Sequence, residues 1–287
     1  NLTASNTGGL ISTVTNNGTA TDGTTSTISL GNAKATTTNA LTVNGTADVL
    51  NITGGTGIDS IVLAAAENLT TGTVALGTGA DVLSFLGTGT VGVAINLGST
   101  TVTFADTGTT TVAAGKAVGY SAASASAKVV TGATAFDLTV SGISEVVGTA
   151  QADYIVANNE GTTITGGAAA DTLIAGAGAD TFVFAADDSQ DSAYDTITGF
   201  NITNDVLNVA STTVAATVAA GAPVAVDAAD AASGSVDAIV TAGVMSFKPG
   251  GAEANMDTIA EMIAAASIVL DADTSGAAAN LVFEFGG

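Results

Sequence analysis

The chain has 287 residues, with 26 acidic side chains against 4 basic ones and a formal net charge of −22. It contains no Cys, His or Trp, and the basic residues are all Lys: Lys34, Lys116, Lys128 and Lys248. This composition excludes disulfides, thiolate nucleophiles and His-dependent triads. It leaves structural zinc to carboxylates alone and argues against a nucleic-acid face or an anionic membrane surface.

Aromatic residues make up 4% of the chain, while Ala, Val, Thr and Gly dominate. Small and β-branched side chains suit thin stacked strands better than a bulky globular core. No run of 18 apolar residues is present, so no membrane-spanning helix is expected. The opening Asn1-Leu2-Thr3 carries neither an initiator Met nor a charged leader, and the chain reads as an internal or C-terminal piece of a longer one.

In chain order, residues 1–147 read as an irregular β-solenoid. Alternation such as Leu41-Thr42-Val43 and Val91 to Leu97 is punctuated by Thr/Gly/Asn turns. Asp48 follows Gly45-Thr46-Ala47, Asp59 lies in Gly54-Gly55-Thr56-Gly57-Ile58-Asp59-Ser60-Ile61-Val62, and Asp81 follows Gly77-Thr78-Gly79-Ala80. The Ala/Ser-rich stretch 113–128 reads as a loop or an insertion. Residues 148–209 hold the best-phased repeats. There, Asp153 follows Gly148, Asp171 follows Gly166-Gly167, and Asp180 follows Gly176-Ala177-Gly178-Ala179. Asp171 and Asp180 are 9 residues apart, Asp153 and Asp171 are 18, Asp48 and Asp59 are 11, and Asp59 and Asp81 are 22. Two half-turns make one coil, so loops 18 or 22 apart stack.

After the last repeat, Asp195-Thr196-Ile197, Phe200 and Asp205-Val206-Leu207 resemble the capping segment that follows RTX arrays. Phe182, Phe184, Ile197, Phe200 and Leu207 would seal the open end of a solenoid. Residues 210–287 turn Ala/Asp-rich. They include an expected helix at about Met256–Ala266, with Asp257 suited to its start. Asp271-Ala272-Asp273-Thr274-Ser275-Gly276 begins like an EF-hand loop. Position twelve is Val282, where a bidentate Glu is required, so it reads as a turn. The ending Leu281-Val282-Phe283-Glu284-Phe285-Gly286-Gly287 reads as a strand.

The 54–62 segment matches G-G-x-G-x-D-x-U-x at every specified position and so resembles the calcium-binding nonapeptide of RTX proteins. Such a turn must bend sharply, which favours Gly. Calcium takes 6–8 oxygens, and one turn offers about half that shell, so two turns must stack around an ion. The resemblance therefore implies calcium sites between loops 54–59 and 77–81 and between loops 148–153 and 166–171. The 175–180 loop has Thr162 rather than Asp 18 residues earlier and is expected to pair with the Asn158-Asn159-Glu160-Gly161 turn. Candidate ligands in the first half are Asp48, Gly55, Gly57, Asp59, Gly77, Gly79 and Asp81. In the second half they are Gly148, Asp153, Gly167, Asp171, Gly176, Gly178, Asp180, Asp195 and Asp205. An isolated Asp in a turn ordinarily bonds its own backbone, and Ala replaces Gly at 168, 169 and 175, which weakens those loops.

The 148–209 block resembles the C-terminal part of RTX proteins exported by type I secretion. In its Cys-free, Ala/Thr-rich context it is most similar to S-layer proteins of Gram-negative bacteria. The resemblance is good over about 60 residues, looser over 1–147 and weak over 210–287. It implies an all-β, right-handed parallel β-helix/β-roll solenoid with a small mixed C-terminal region. Residues 210–287 would then form an incomplete type I secretion tail. The implied function is that of a non-enzymatic, calcium-dependent structural subunit, secreted to the bacterial cell surface. It would assemble with itself into a lattice and contact cell-surface polysaccharide through regions outside this chain. The alternative is the non-catalytic calcium-binding C-terminal region of a secreted RTX adhesin or hydrolase.

Overall fold

A computed structural model describes residues 2–6, 13–17, 25–30, 38–64, 69–86, 91–103, 111–124, 127–129, 136–185, 188, 193–209, 224–225, 235–241 and 244–250. The chain divides into two units, Asn1–Asn208 and Val209–Gly287.

The first unit is a parallel β-solenoid of about six turns. Its N-terminal strands are β1 (Leu2–Asn6), β2 (Thr13–Asn17), β3 (Thr25–Leu30), β4 (Thr38–Gly55), β5 (Ile58–Leu63), β6 (Leu69–Gly77) and β7 (Val82–Ser84). The middle strands are β8 (Gly92–Asn96), β9 (Val102–Thr103), β10 (Thr111–Val112), β11 (Lys116–Ser124), β12 (Ala127–Val129), β13 (Asp137–Ser141) and β14 (Glu145–Val147). The last are β15 (Tyr154–Val156), β16 (Thr163–Thr165), β17 (Thr172–Ile174), β18 (Thr181–Phe184), β19 (Thr196–Thr198) and β20 (Val206–Val209).

These strands form two faces. Face one runs β1, β3, the second half of β4, β6, β13, β11, β8, β15, β17, β19. Face two runs β2, the first half of β4, β5, β7, β14, β16, β18, β20.

The core follows from period-2 alternation repeated in register. In β3 every second residue from Ser26 is buried and Thr27 and Ser29 face out. Along face one, Leu138, Ala117, Ile95, Ile155, Leu173 and Ile197 stand over one another. Along face two, Leu41, Ile61, Leu83, Val146, Ile164 and Phe182 do the same. All but Ile197 are fully buried or nearly so. Such files of one aliphatic residue per rung let thin coils bury a continuous core that no single coil could build.

The stretch 113–128 departs from the loop reading. Residues 116–124 form β11, which pairs antiparallel with β8 and β13 and places Ala117 between Ile95 and Leu138. Its small Ala and Ser side chains give too little hydropathy contrast for alternation to show. The consequence is asymmetry. Between β13 and β15, face one carries two further strands, β11 and β8, whereas on face two β14 pairs directly with β16.

At the last coil, Phe182 is buried, and Phe184, Ile197 and Leu207 pack partly buried against the core. Phe200 sits against Phe182 with ring centroids 6.0 Å apart. The second unit holds β21 (Val224–Ala225), β22 (Ser235–Thr241) and β23 (Val244–Gly250) in an antiparallel sheet. The expected helix at 256–266, the 271–276 turn and the 281–287 strand lie outside the described residues. Among the described residues no helix is long and apolar enough to cross a membrane.

Candidate metal centre

Asp81, Asp153, Asp171, Asp180, Asp195 and Asp205 each stand just before a strand and Asp59 is the second residue of β5, and parallel pairing without slippage brings these positions into columns. Before face one the column is Val93, Asp153, Asp171, Asp195. Before face two it is Asn39, Asp59, Asp81, Ser144, Thr162, Asp180, Asp205. Asp59, Asp81, Asp153, Asp171 and Asp180 are fully buried, and Asp205 is nearly so.

The carboxylates are held by backbone N–H groups in a repeating pattern. One oxygen accepts from the preceding coil. Asp59 N–H donates to Asp81 Oδ1 at 2.8 Å, Asp153 N–H to Asp171 Oδ1 at 2.7 Å, and Asp171 N–H to Asp195 Oδ1 at 2.8 Å. Thr162 N–H donates to Asp180 Oδ1 at 2.8 Å and Asp180 N–H to Asp205 Oδ1 at 2.9 Å. The other oxygen accepts from the amide four residues earlier in its own turn: Gly55 to Asp59, Thr149 to Asp153, Gly176 to Asp180 and Asn201 to Asp205. One side chain thus ties its own turn and clamps it to the coil before. The file ends locally, because Asp205 N–H donates to Asn201 O rather than to a further carboxylate.

This arrangement explains the Gly five residues before the Asp. A Cβ on Gly54, Gly148 or Gly166 would fall on Oδ2 of Asp59, Asp153 or Asp171. Gly77 and Gly167 are needed for another reason, having φ of +92° and +108°. Ala169, which replaces Gly in its turn, is held at φ +77°.

Burial sets the electrostatics. It pushes the Asp153 carboxyl up to about 7, against the Thr149 and Val93 amides and the Thr149 hydroxyl, with the Asp195 charge adding to the rise. Burial also raises Asp81, opposed by the Asp59 amide and reinforced by the Asp59 charge. It raises Asp180 too, opposed by the Gly176 and Thr162 amides and reinforced by the Asp205 charge.

The turns of both expected loop pairs stack. The 77–81 turn lies on the 54–59 turn, where a Cβ on Gly79 would meet Gly57 O. The 166–171 turn lies on the 148–153 turn, where a Cβ on Gly167 would meet Thr149 O. The 175–180 turn lies against the Asn158–Gly161 turn, where a Cβ on Gly178 would meet Gly161 N. The side chain of Asp48 is outside the described residues. Sequence reasoning did not single out Asn39, Thr149 or Asn201. Asn39 Nδ2 donates to Asp59 Oδ1 at 2.7 Å, and its position 20 residues before Asp59 was the available signal. Thr149 adds its hydroxyl to Asp153 Oδ1 at 2.9 Å.

The donor set can be tested against a hard divalent cation. Asp81 Oδ2 is buried without a hydrogen-bond partner, which leaves a carboxylate oxygen open for a cation in the 54–59/77–81 stack. Asp59 and Asp153 have donors on both oxygens and offer only remaining lone pairs. Among the described residues no three Asp or Glu converge as a metal-binding group. Two carboxylates and several turn carbonyls per ion is a composition calcium accepts and zinc does not. The 54–59/77–81 stack, with Asp81 Oδ2 open, would suit calcium if backbone oxygens of the two turns supplied most of the shell. No protein-family model matches the chain, and no curated protein does.

Proposed function

We propose that this chain is part of a non-catalytic structural subunit of a bacterial surface layer, which folds with calcium and assembles with copies of itself outside the cell. The observation that carries the reading is the pair of buried Asp columns. Burying a carboxylate is costly unless its charge is compensated. Four Lys cannot neutralise 26 acids, and N–H donors offset the charge only in part, as the raised Asp153, Asp81 and Asp180 indicate. A divalent cation between turns supplies the missing compensation. Asp59 with Asp81 and Asp153 with Asp171 would hold it, together with turn carbonyls. Where the turns do not preform, that binding free energy is folding free energy.

The same acids speak against catalysis, because those in the columns are engaged as amide acceptors inside turns. A charge of −22 opposes self-association until cations shield it. Contacts that do not close on themselves then extend into arrays. Electron microscopy and light scattering of the full chain in millimolar calcium and in chelator test this. We expect sheets or other extended arrays with calcium and their loss without it. Monomers at every calcium concentration would move the assignment to the calcium-binding tail of a secreted adhesin or hydrolase.

A further inference from the structure

The asymmetry of the two faces opens a cleft at the corner where the chain passes from face one to face two. On face two, β14 and β16 are neighbours, one strand spacing or about 5 Å apart. On face one their coil partners β13 and β15 are separated by β11 and β8, three spacings or about 14 Å. The turns 142–144 and 158–161 must therefore diverge from a common apex. Among the described residues no turn fills the wedge, because β8 leads away into β9 at this corner instead of crossing to face two. The result is a cleft of about 670 Å³ whose floor includes Leu97, Gly98 and Gly115. Asn158 holds the apex: its Nδ2 donates to Ile143 O across the wedge, and its Oδ1 accepts from the amides of Glu160 and Gly161.

The walls restrict the ligand. The lining has no aromatic ring, and its larger apolar side chains are Leu97, Val140 and Ile143, two of which are buried in the core. A flat apolar ligand finds no platform here. Among the described residues no Lys lines the cleft and Glu160 does, so an anion meets a carboxylate on a protein of charge −22. The walls do offer groups that donate and accept, the hydroxyls of Thr78, Ser99 and Ser141 and the amide of Asn159, while the Ser144 hydroxyl, which donates to Gly79 O at 2.9 Å, remains an acceptor. Between them lie Gly77, Gly142 and Gly161, all at positive φ, whose lack of side chains narrows neither wall. The Asn159 Nδ2 to Ser99 Oγ bond across the rim is long, at 3.3 Å, and both residues are exposed. A ligand hydroxyl can replace it at small cost.

We propose that this cleft binds a neutral oligosaccharide segment, whose hydroxyls match the mixed donors and acceptors of the walls. The experiment is ¹⁵N-labelled full chain titrated with maltotriose, cellotriose and tri-N-acetylchitotriose, following amide shifts. At least one probe should give saturable shifts confined to residues such as Ser99, Ser141, Ser144, Asn159 and Gly161. Filling the cleft by Ser141→Trp should weaken that binding by about tenfold or more. Ser99→Trp on the opposite rim should act alike and serves if the first variant misfolds. Glu160→Gln should leave binding within about threefold, since the ligand carries no charge. No saturable shift with any probe would overturn the proposal. So would shifts centred away from the wedge, or binding that survives both Trp variants.

Discussion

Replacement of Asp153 tests whether the column carboxylates act as buried acceptors under electrostatic load. Its side chain accepts from Val93 N–H at 2.7 Å, Thr149 N–H at 2.5 Å and Thr149 Oγ1 at 2.9 Å, and is fully buried. Asp153→Ala strands two buried amides. At about 1–3 kcal/mol each, the expected loss is about 2–6 kcal/mol at pH 5. Asp153→Asn keeps the shape and one acceptor but cannot ionise. In wild type the folded-state carboxyl is raised from 3.8 to about 7. The native state therefore holds a proton that the unfolded chain has lost, and stability falls as pH rises across that interval. From pH 5 to pH 8 the loss approaches two pKa units, or about 3 kcal/mol. Asp153→Asn escapes it. Urea unfolding in chelator at pH 5 and pH 8 should show the variant gaining about 3 kcal/mol relative to wild type. A difference that stays within about 0.5 kcal/mol, or that moves the other way, refutes the reasoning.

Three further substitutions probe the turns and the core. Gly148→Ala puts a Cβ onto Gly166 O and Asp153 Oδ2 and should cost about 2 kcal/mol or more by urea denaturation, in the range of overpacking. Ala169→Gly should stabilise by about 0.5 kcal/mol, since relief of the left-handed conformation at φ +77° outweighs the added freedom of the unfolded chain; a lowered urea midpoint would speak against strain there. Leu173→Ala empties one place in the face-one file between Ile155 and Ile197 and should cost about 2–5 kcal/mol, read by thermal or urea unfolding.

Much of the solenoid was legible because its repeat has a fixed length. Spacings of 18 and 22 between Asp residues mark one coil each, and parallel register turns that spacing into vertical columns. The apolar residue two places after each Asp, such as Leu83, Ile155, Leu173 and Phe182, fixed which way the strand faces. The wedge was not legible. β8 and β11 belong to face one, but β11 runs antiparallel and owes its place to pairing with β8 and β13 rather than to a repeated Asp turn. Its Ala/Ser composition carries no period of its own. The clamp between coils was also hidden. A Gly-rich run ending in Asp shows the turn, but only stacking shows that Asp180 bonds the amide of Thr162 as well as that of Gly176. Thr162 and Ser144 keep their places in the column without a carboxylate because the backbone pairing of adjacent coils continues there.

The most direct measurement is equilibrium unfolding of the full chain as a function of free calcium, from chelator to millimolar, at constant pH and ionic strength. If calcium binds between the folded turns, stability rises logarithmically once calcium exceeds its dissociation constant, by about 1.4 kcal/mol per decade for each ion bound only by the folded state. We expect that rise, together with slower hydrogen exchange at the amides of Asp59, Asp153 and Asp180. An unfolding midpoint unchanged between chelator and millimolar calcium would contradict calcium-coupled folding and leave the Asp columns as purely internal hydrogen-bond acceptors.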